Sequence, residues 1–323
     1  MLKGARPAYR LVQRRSFLTG SASLALGVLP AGVVVRSSEA DAGSHPAEPQ
    51  AKELQMSDAP RSPTAKVTVE RRGQIVLIGI NRPEIHNRID PETYSGLGNV
   101  FYQYEHDQTL RAAVLFGHGD NFSRGIDVDA YQALAASGRS LLSDAESLDP
   151  LATRGARLSK PLVVVVHGDT WNMGHELHLV ADIRIAAADT RFGQDETSHG
   201  RFPGGGATVR FVREAGWANA MRYMLTGDHW GAEEALRMGV IQKVLATPQQ
   251  ALRAGIETAT AIAACGPLGI KATLASAHLA IEHSQAEAFA HLESQYRALY
   301  TTEDFKEGRR AEAENRVPAF LGK

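Results

Sequence analysis

The chain has 323 residues, of which 43% are hydrophobic and 22% are charged. This is the composition of an ordinary globular protein, and it excludes collagen-like, coiled-coil and low-complexity architectures. The 35 Lys and Arg residues nearly balance the 36 Asp and Glu residues, giving a net charge of −1. A charge so close to zero argues against a nucleic-acid partner.

The first 42 residues have the three parts of an export signal. Residues 1–38 contain six basic residues and no acidic one, residues 16–35 are uncharged, and Ala40-Asp41-Ala42 resembles a cleavage site. Arg14-Arg15, followed by Ser-Phe-Leu, resembles the twin-arginine export motif. The sequence therefore predicts a signal peptide over 1–42, a periplasmic or secreted mature protein, and no stable membrane span after cleavage. A mitochondrial transit peptide, an uncleaved anchor and a cytoplasmic location are the alternatives.

Residues 43–65 are rich in Pro, Ala, Ser and charged residues without apolar periodicity, which is typical of a flexible linker. The folded unit is expected to begin near Lys66. Cys265 is the single cysteine of the sequence, so no internal disulfide can form. A chain without disulfides suits twin-arginine export, which carries proteins that have already folded.

The rest of the chain alternates between strand and helix patterns. Strands are predicted over 66–70, 74–80, 112–116, 162–167 and 183–187. Helices are predicted over 91–106, from 127 onward, and over 144–158, 175–181, 217–225, 232–238, 248–264, 268–283 and 286–300. Because strand, loop and helix repeat in order before a helical C-terminal third, the sequence predicts an α/β protein.

Two motifs that could bind a cofactor lack the context they require. His175 and His178 lie three residues apart, but no HExxH motif, cysteine pair or spaced carboxylate accompanies them, so no metal is predicted. Gly204-Gly205-Gly206 does not link a strand to a helix and has no following Lys, so it does not indicate a phosphate-binding loop. Packing is the favoured interpretation of both histidines.

Several stretches, in order, resemble the enoyl-CoA hydratase/isomerase (crotonase) family. They are INRPEIHN (80–87), FSRGIDV (122–128), the block from Lys160 to Glu196, FPGGGATVRFVREAG (202–216), LTGDHWGAEEALRMGVIQKVL (225–245) and ENRVPAF (314–320). The resemblance covers residues 66–323. It implies a catalytic core of ββα turns arranged in a spiral over 66–265, followed by a helical oligomerisation region over 266–323. It also implies a homotrimer or hexamer, and no cofactor other than the CoA that forms part of the substrate.

The resemblance implies an oxyanion hole built from two backbone N–H groups, those of Ile126 and Met173. Such donors stabilise an enolate-like oxygen formed at a thioester carbonyl. Where most family members have three glycines, this chain has Asn172-Met173-Gly174. If the loop requires positive φ at the methionine, that residue is strained where a glycine would not be.

By the same resemblance, Glu176 and Glu196 lie at the two catalytic glutamate positions. Two carboxylates suit the hydration of a conjugated double bond, because one can deprotonate water and the other can protonate Cα. An acid in a first helical turn can also simply complement the helix dipole. Lower-ranked candidates for substrate contact are His86, Asp127, Trp171, Phe202 and Gly204.

The sequence also departs from the family at its phosphate-binding positions. Ile85 stands where a basic residue near the CoA nucleotide is usual, with His86 and Arg88 as neighbours, and Asn315-Arg316 replaces a Lys-Arg pair. These changes weaken the expected phosphate contacts.

Three functions therefore stay open. The first is hydration of an enoyl-CoA thioester. Because CoA thioesters are kept in the cytoplasm, export favours a second function, a hydrolase or lyase acting on a non-CoA carbonyl compound such as a β-diketone. Diketone hydrolases of the family have a His where this chain has Glu196 and an Asp where it has Gly205. The third is a non-catalytic binding protein on the same fold.

Overall fold

The computed structural model describes residues 65–138 and 145–323. The predicted signal peptide lies outside these residues, and so does the predicted linker except for its last residue. Within the described ranges, no helix is both long and apolar enough to cross a membrane.

A six-stranded sheet forms the centre of the fold. Its strands are β1 (Val67–Arg72), β2 (Ile75–Ile80), β3 (Ala112–Gly117), β4 (Leu162–Val166), β6 (Ile183–Ala187) and β9 (Lys243–Leu245), in the order β1-β2-β3-β4-β6-β9. The pair β1 and β2 is an antiparallel hairpin, and all the other neighbours are parallel. Every residue of β2, β3 and β4 is buried, as their continuous apolar sequences require for strands covered on both faces.

A second sheet of three short strands lies beside the site. It contains β5 (Asp169–Trp171), β7 (Arg191–Gly193) and β8 (Trp230–Gly231), with β7 between the other two. Strands of two or three residues are too short to show an alternation of apolar and polar residues, and none of the three is predicted from sequence. This small sheet fixes the chain just before the helix that carries Glu176 and just before the turn that carries Glu196.

Ten α-helices complete the described part of the chain. They are α1 (Pro91–His106), α2 (Val128–Ser137), α3 (Met173–Val180), α4 (Ala207–Ala215), α5 (Trp217–Thr226), α6 (Ala232–Arg237), α7 (Pro248–Ala263), α8 (Pro267–Glu282), α9 (Gln285–Tyr300) and α10 (Glu303–Ala313). Helix α1 has the predicted bounds because Asp90 accepts a hydrogen bond from Thr93 N at 2.7 Å and Pro91 occupies the first position.

The helix predicted over 144–158 is wrong for residues 145–158, which form turns and irregular backbone. The Asp149 carboxylate accepts hydrogen bonds from the backbone N–H groups of Leu151, Thr153 and Arg154 at 3.2, 2.9 and 3.1 Å. An acid that bonds its own downstream backbone in this way favours a turn.

Two apolar clusters cover the main sheet, one on each face. One includes Ile78, Leu115, Val164 and Phe211, and the other packs β2, β3 and β4 against α7. Helix α7 approaches β4 closely at Gly255, where an added methyl group would lie 2.3 Å from Val165 Cγ2. A mixed α/β fold followed by the helices α8 to α10 confirms the predicted fold class.

Candidate active site

A cavity of about 240 Å³ opens at the carboxyl ends of the parallel strands, between α2, α3 and the segment before α4. It is lined by Arg88, Arg124, Ile126, Val128, Tyr131, Asn172, Met173, Glu176, Glu196, Arg201, Phe202, Gly204 and Gly205. Six of the residues predicted to form the site therefore share one cavity: Ile126, Met173, Glu176, Glu196, Phe202 and Gly204.

The loop after β3 carries Ile126, which lines this cavity. Ile89 pairs with Ile126 in a parallel bridge, in which Ile89 N donates to Gly125 O at 2.8 Å and Asp127 N donates to Ile89 O at 2.9 Å. In that pattern the N–H of Ile126 points away from Ile89. It donates to no acceptor among the described residues.

Met173 is the first residue of α3, and its N–H is likewise without an acceptor in the described part of the chain. The unfavourable backbone conformation lies one residue earlier, at Asn172, with φ 51° and ψ −120°. Met173 itself is not left-handed. A conformation like that of Asn172 costs about 1–3 kcal/mol in a residue with a side chain, so surrounding contacts must hold it.

The two loops that carry these N–H groups are in contact. Gly125 has φ +85°, and a methyl group added there would lie 2.9 Å from Asn172 Cβ and 3.4 Å from Met173 N. Gly125 is therefore required both for its conformation and for the close approach. The amino end of α3 adds a partial positive charge at the same place. Two N–H groups and a helix amino terminus together suit a developing oxyanion.

Glu176 is buried in the first turn of α3. Its Oε1 accepts hydrogen bonds from Gly205 N at 2.7 Å and Ala207 N at 3.2 Å. Burial raises the pKa of Glu176, while these two donors and the Arg210 guanidinium oppose the rise. A methyl group at Gly205 would lie 2.3 Å from Glu176 Oε2, so the Glu176 carboxylate occupies the space that a side chain at position 205 would need.

Glu196 begins a short 3₁₀ helix, Glu196–His199, on the other wall of the cavity. Gln194 Nε2 donates to both of its carboxylate oxygens, at 3.1 and 3.3 Å, and Gln194 Oε1 lies 2.6 Å from His175 Nδ1. Burial raises the pKa of Glu196 to about 7, and the Glu176 and Asp195 carboxylates add to the rise. A carboxyl group with this pKa can donate a proton near neutral pH.

Three of the five candidates for substrate contact do not line the cavity. Asp127 is the N-cap of α2, accepting from Ala130 N at 3.4 Å. His86 is exposed, with Nδ1 3.2 Å from Asn121 Nδ2. Trp171 lies behind the cavity wall between the Arg124 guanidinium, 4.8 Å from its ring centre, and the His229 ring at 4.5 Å.

The cavity also contains residues to which sequence reasoning gave no role in the site. They are Val128 and Tyr131 of α2, together with Arg124 and Arg201. Val128 and Tyr131 could have been predicted together, because a helix that begins near residue 127 places residues 128 and 131 on one face. Gln194 and Asp195, next to Glu196, also escaped prediction, and only their spatial neighbours explain their roles.

His175 and His178 are fully buried in α3, where His175 contacts the rings of Phe211 and Trp230. Burial lowers the pKa of His175 to about 4 and holds that of His178 well below its usual value. Both rings are therefore neutral at physiological pH. No group of three or more His, Cys, Asp or Glu side chains in the described ranges is placed to hold a metal ion.

Comparison with known proteins places this geometry in a family. The model of the enoyl-CoA hydratase/isomerase family matches residues 70–323. An enoyl-CoA hydratase of Mycobacterium tuberculosis, EchA19, is 34% identical over 256 residues, covering 78% of this chain and 95% of the relative. The (E)-benzylidenesuccinyl-CoA hydratase of Thauera aromatica is 31% identical over 261 residues, covering 79% of this chain and 99% of that protein.

Solved structures agree. A probable enoyl-CoA hydratase/isomerase from Mycobacterium abscessus superposes with a TM-score of 0.77 at 39% identity, covering 80% of this chain and 99% of that one. An enoyl-CoA hydratase from Mycobacterium tuberculosis superposes with a TM-score of 0.73 at 34% identity and the same coverage. With its α/β core and the matched region running from β1 to the C-terminus, the chain belongs to the enoyl-CoA hydratase/isomerase family.

Proposed function

We propose that this protein is a lyase that adds water across the 2,3 double bond of an enoyl-CoA thioester. One observation carries the proposal: Ile126 and Met173, whose N–H groups have no acceptor among the described residues, line a single cavity with Glu176 and Glu196. The names of the relatives support the same chemistry, since EchA19 is an enoyl-CoA hydratase and the Thauera aromatica protein is a hydratase of another CoA thioester.

The two N–H groups would bind the thioester carbonyl oxygen. As water adds at Cβ, negative charge moves onto this oxygen, and donors already fixed in place stabilise that charge without reorganising. Loss of one such donor typically costs about 2.7–4 kcal/mol of transition-state stabilisation.

The two glutamates would divide the proton transfers. Glu176, held by two backbone N–H groups that favour its charged form, accepts a proton from water as the oxygen attacks Cβ. Glu196, with a pKa of about 7, donates its proton to Cα as the enolate collapses. The water oxygen and one hydrogen end on Cβ. The proton that Glu196 gives to Cα and the one that Glu176 takes from water balance, and exchange with solvent resets both carboxyl groups.

The cavity has positive groups for an anionic handle. Arg88 donates to Ile126 O at 3.3 Å, and Arg124 pairs with Asp169 at 2.6 Å. At the C-terminus Arg316 pairs with Glu307 and Glu314, both at 2.6 Å. We infer that Arg88, three residues after the apolar Ile85, contacts the CoA phosphates in place of the missing base.

The β-diketone alternative is disfavoured at Gly205. An aspartate at this position would overlap the Glu176 carboxylate, because even a methyl group would lie 2.3 Å from Glu176 Oε2. The arrangement present therefore suits paired glutamates and not the His and Asp pair that the diketone hydrolases have.

We propose two further properties of the working protein. The basic leader with Arg14-Arg15 supports cleavage after residue 42 and a periplasmic or secreted location. Exposed apolar side chains on α8 and α9 border a groove of about 730 Å³, and they support assembly into a trimer or hexamer through these helices.

Hydration of crotonyl-CoA by the purified protein, followed as loss of the conjugated enoyl absorbance, tests the proposed reaction. We expect Glu176→Gln and Glu196→Gln each to lower kcat by about 10²–10⁴-fold, since general acid–base groups contribute on that scale. In the unmodified protein, kcat should fall as the pH rises above the pKa of Glu196. Glu293→Gln, an exposed change on α9, is the control. Full activity in both cavity variants would refute the roles of the glutamates.

A further inference from the structure

The strained residue of the oxyanion loop is held by one carboxylate. Asn172 Nδ2 donates to Asp195 Oδ1 at 2.8 Å, and Asp195 N donates to Asn172 Oδ1 at 3.0 Å. A third bond runs from Asn172 N to Gly193 O at 2.9 Å. The side chain and the backbone of Asn172 are thus both fixed by the segment 193–195, which compensates for its unfavourable φ and ψ.

His229 engages the other oxygen of the same carboxylate. Its Nε2 lies 3.1 Å from Asp195 Oδ2, and its ring packs 4.5 Å from that of Trp171. The hydrogen bond from His229 lowers the pKa of Asp195, and the bond from Asn172 adds to the effect. The Asp195 carboxylate is therefore a charged acceptor between two donors. Asn172 lies between β5 and α3, and His229 lies in the turn before β8.

The positions of these residues in the chain give the contacts a functional consequence. Asn172 directly precedes Met173, which lines the cavity and whose N–H has no acceptor among the described residues, and Asp195 directly precedes Glu196. The ψ angle of Asn172, −120°, sets the orientation of the peptide that carries the Met173 N–H, so the contacts that hold Asn172 in this conformation also hold that N–H. One carboxylate thus couples the direction of the oxyanion donor to the position of the proton donor.

We propose that Asn172, Asp195 and His229 form a clamp that holds the Met173 N–H pointed into the cavity. Asp195 and His229, which do not line the cavity, are positioning residues that act through Met173 and Glu196, and Asn172 acts through the adjacent Met173 N–H. The kinetic part of this proposal rests on the proposed function, because it needs Met173 to bind the thioester oxygen. The structural part, the fixed conformation of Asn172, does not.

Replacing the carboxylate tests the kinetic part. We expect Asp195→Ala to lower kcat for crotonyl-CoA by about 10–100-fold with KM changed by less than about threefold, because a misdirected donor affects the transition state more than binding. Asp195→Asn keeps an oxygen acceptor for Asn172 and should retain more activity. Asn172→Gly removes the conformational penalty, so adding it to Asp195→Ala should restore most of the lost kcat. A purely structural role for Asp195 predicts no such rescue.

Amide hydrogen exchange tests the structural part without any substrate. The N–H groups of Asn172 and Glu176, which bond Gly193 O and Asn172 O, should exchange at least about tenfold faster in Asp195→Ala. Asp228→Ala, an exposed acid next to His229, is the matched control and should leave exchange and kcat unchanged.

The outcomes separate the two proposals. Faster exchange in Asp195→Ala, together with no hydration by the unmodified protein, would support the clamp and refute the proposed function. Hydration by the unmodified protein, with Asp195→Ala equal to Asp228→Ala in both kcat and exchange, would overturn the clamp. Failure of Asn172→Gly to rescue Asp195→Ala would also overturn it.

Discussion

The cavity wall and the C-terminal helices α8 to α10 present opposite kinds of surface. In the wall, the two carboxyl groups are buried and accept from specific donors: Glu176 from Gly205 N and Ala207 N, and Glu196 from Gln194 Nε2. On the helices, large apolar groups are exposed, with Phe289 at 66% and Tyr296 at 59%. The function of the wall therefore depends on the distances between individual atoms. The contribution of the helices to assembly should instead scale with the apolar area that they bury.

The largest contrast should come from the same glycine-to-alanine change made in each region. Gly205→Ala brings a methyl group to 2.3 Å from Glu176 Oε2 and 2.8 Å from Leu151 Cδ1, so the carboxylate must move. We expect kcat to fall by about 100-fold or more, because small displacements of catalytic groups are costly. Steady-state kinetics with crotonyl-CoA measures this.

Gly308→Ala in α10 is the counterpart of that change. Its methyl group would make ordinary contact with Phe320 Cε1 at 3.6 Å, and alanine is favoured in a helix by about 1 kcal/mol over glycine. The kcat and KM of Gly308→Ala should equal those of the unmodified protein, and its thermal stability should be equal or higher. Equal losses of activity in the two variants would contradict the contrast between the regions.

A smaller effect is expected when a charge is placed on the helical surface. Phe289→Glu removes an aromatic group whose burial at an interface contributes about 1.5–3 kcal/mol. We expect the dissociation constant of the proposed oligomer to rise about 10–100-fold, measured by analytical ultracentrifugation across protein concentrations.

The matched control for assembly is Trp217→Glu on α5, which changes an aromatic group that is 70% exposed but lies outside α8 to α10. It should leave assembly intact. If Trp217→Glu dissociates the oligomer while Phe289→Glu does not, the interface lies elsewhere.

The same contrast explains which parts of the fold the sequence could predict. Helix α1 and strands β2, β3 and β4 follow from local signals: the Asp90 cap, Pro91 and continuous apolar runs. The helix predicted over 144–158 is wrong for residues 145–158, because Asp149 bonds the backbone of its own turn. Strands β5, β7 and β8 are too short to show a period.

The resemblance of the motifs identified Ile126, Met173, Glu176 and Glu196 around the cavity. The contacts that hold these residues in place are visible only in the structure. Asn172 lies 23 residues from Asp195, and Asp195 lies 34 residues from His229. No local pattern links residues so far apart. The sequence also suggested possible strain at Met173, but the structure places it at Asn172, because the helix predicted from residue 175 begins at Met173.

The smallest predicted effect concerns stability. Glu196 has a pKa of about 7 when folded against an ordinary value of 4.5. Above this pKa, folding must bury a charge that the unfolded chain carries in water, so the folded state is destabilised. Below pH 4.5 the group is protonated in both states and this cost vanishes. Glu196→Gln should therefore raise the free energy of unfolding by about 1–3 kcal/mol at about pH 8, and the gain should shrink as the pH falls toward about 5.

Urea unfolding of Glu196→Gln at the two pH values measures this difference. Glu293→Gln on α9 changes an acid whose side chain is 76% exposed, and it should shift the free energy of unfolding by less than about 0.5 kcal/mol at either pH. A stability gain that is the same at both pH values would mean that the Glu196 charge is not the cause. A gain confined to high pH would show that burying Glu196 lowers the free energy of unfolding while keeping a proton donor available near neutral pH. The exposed acids of the C-terminal helices should have no such destabilising effect.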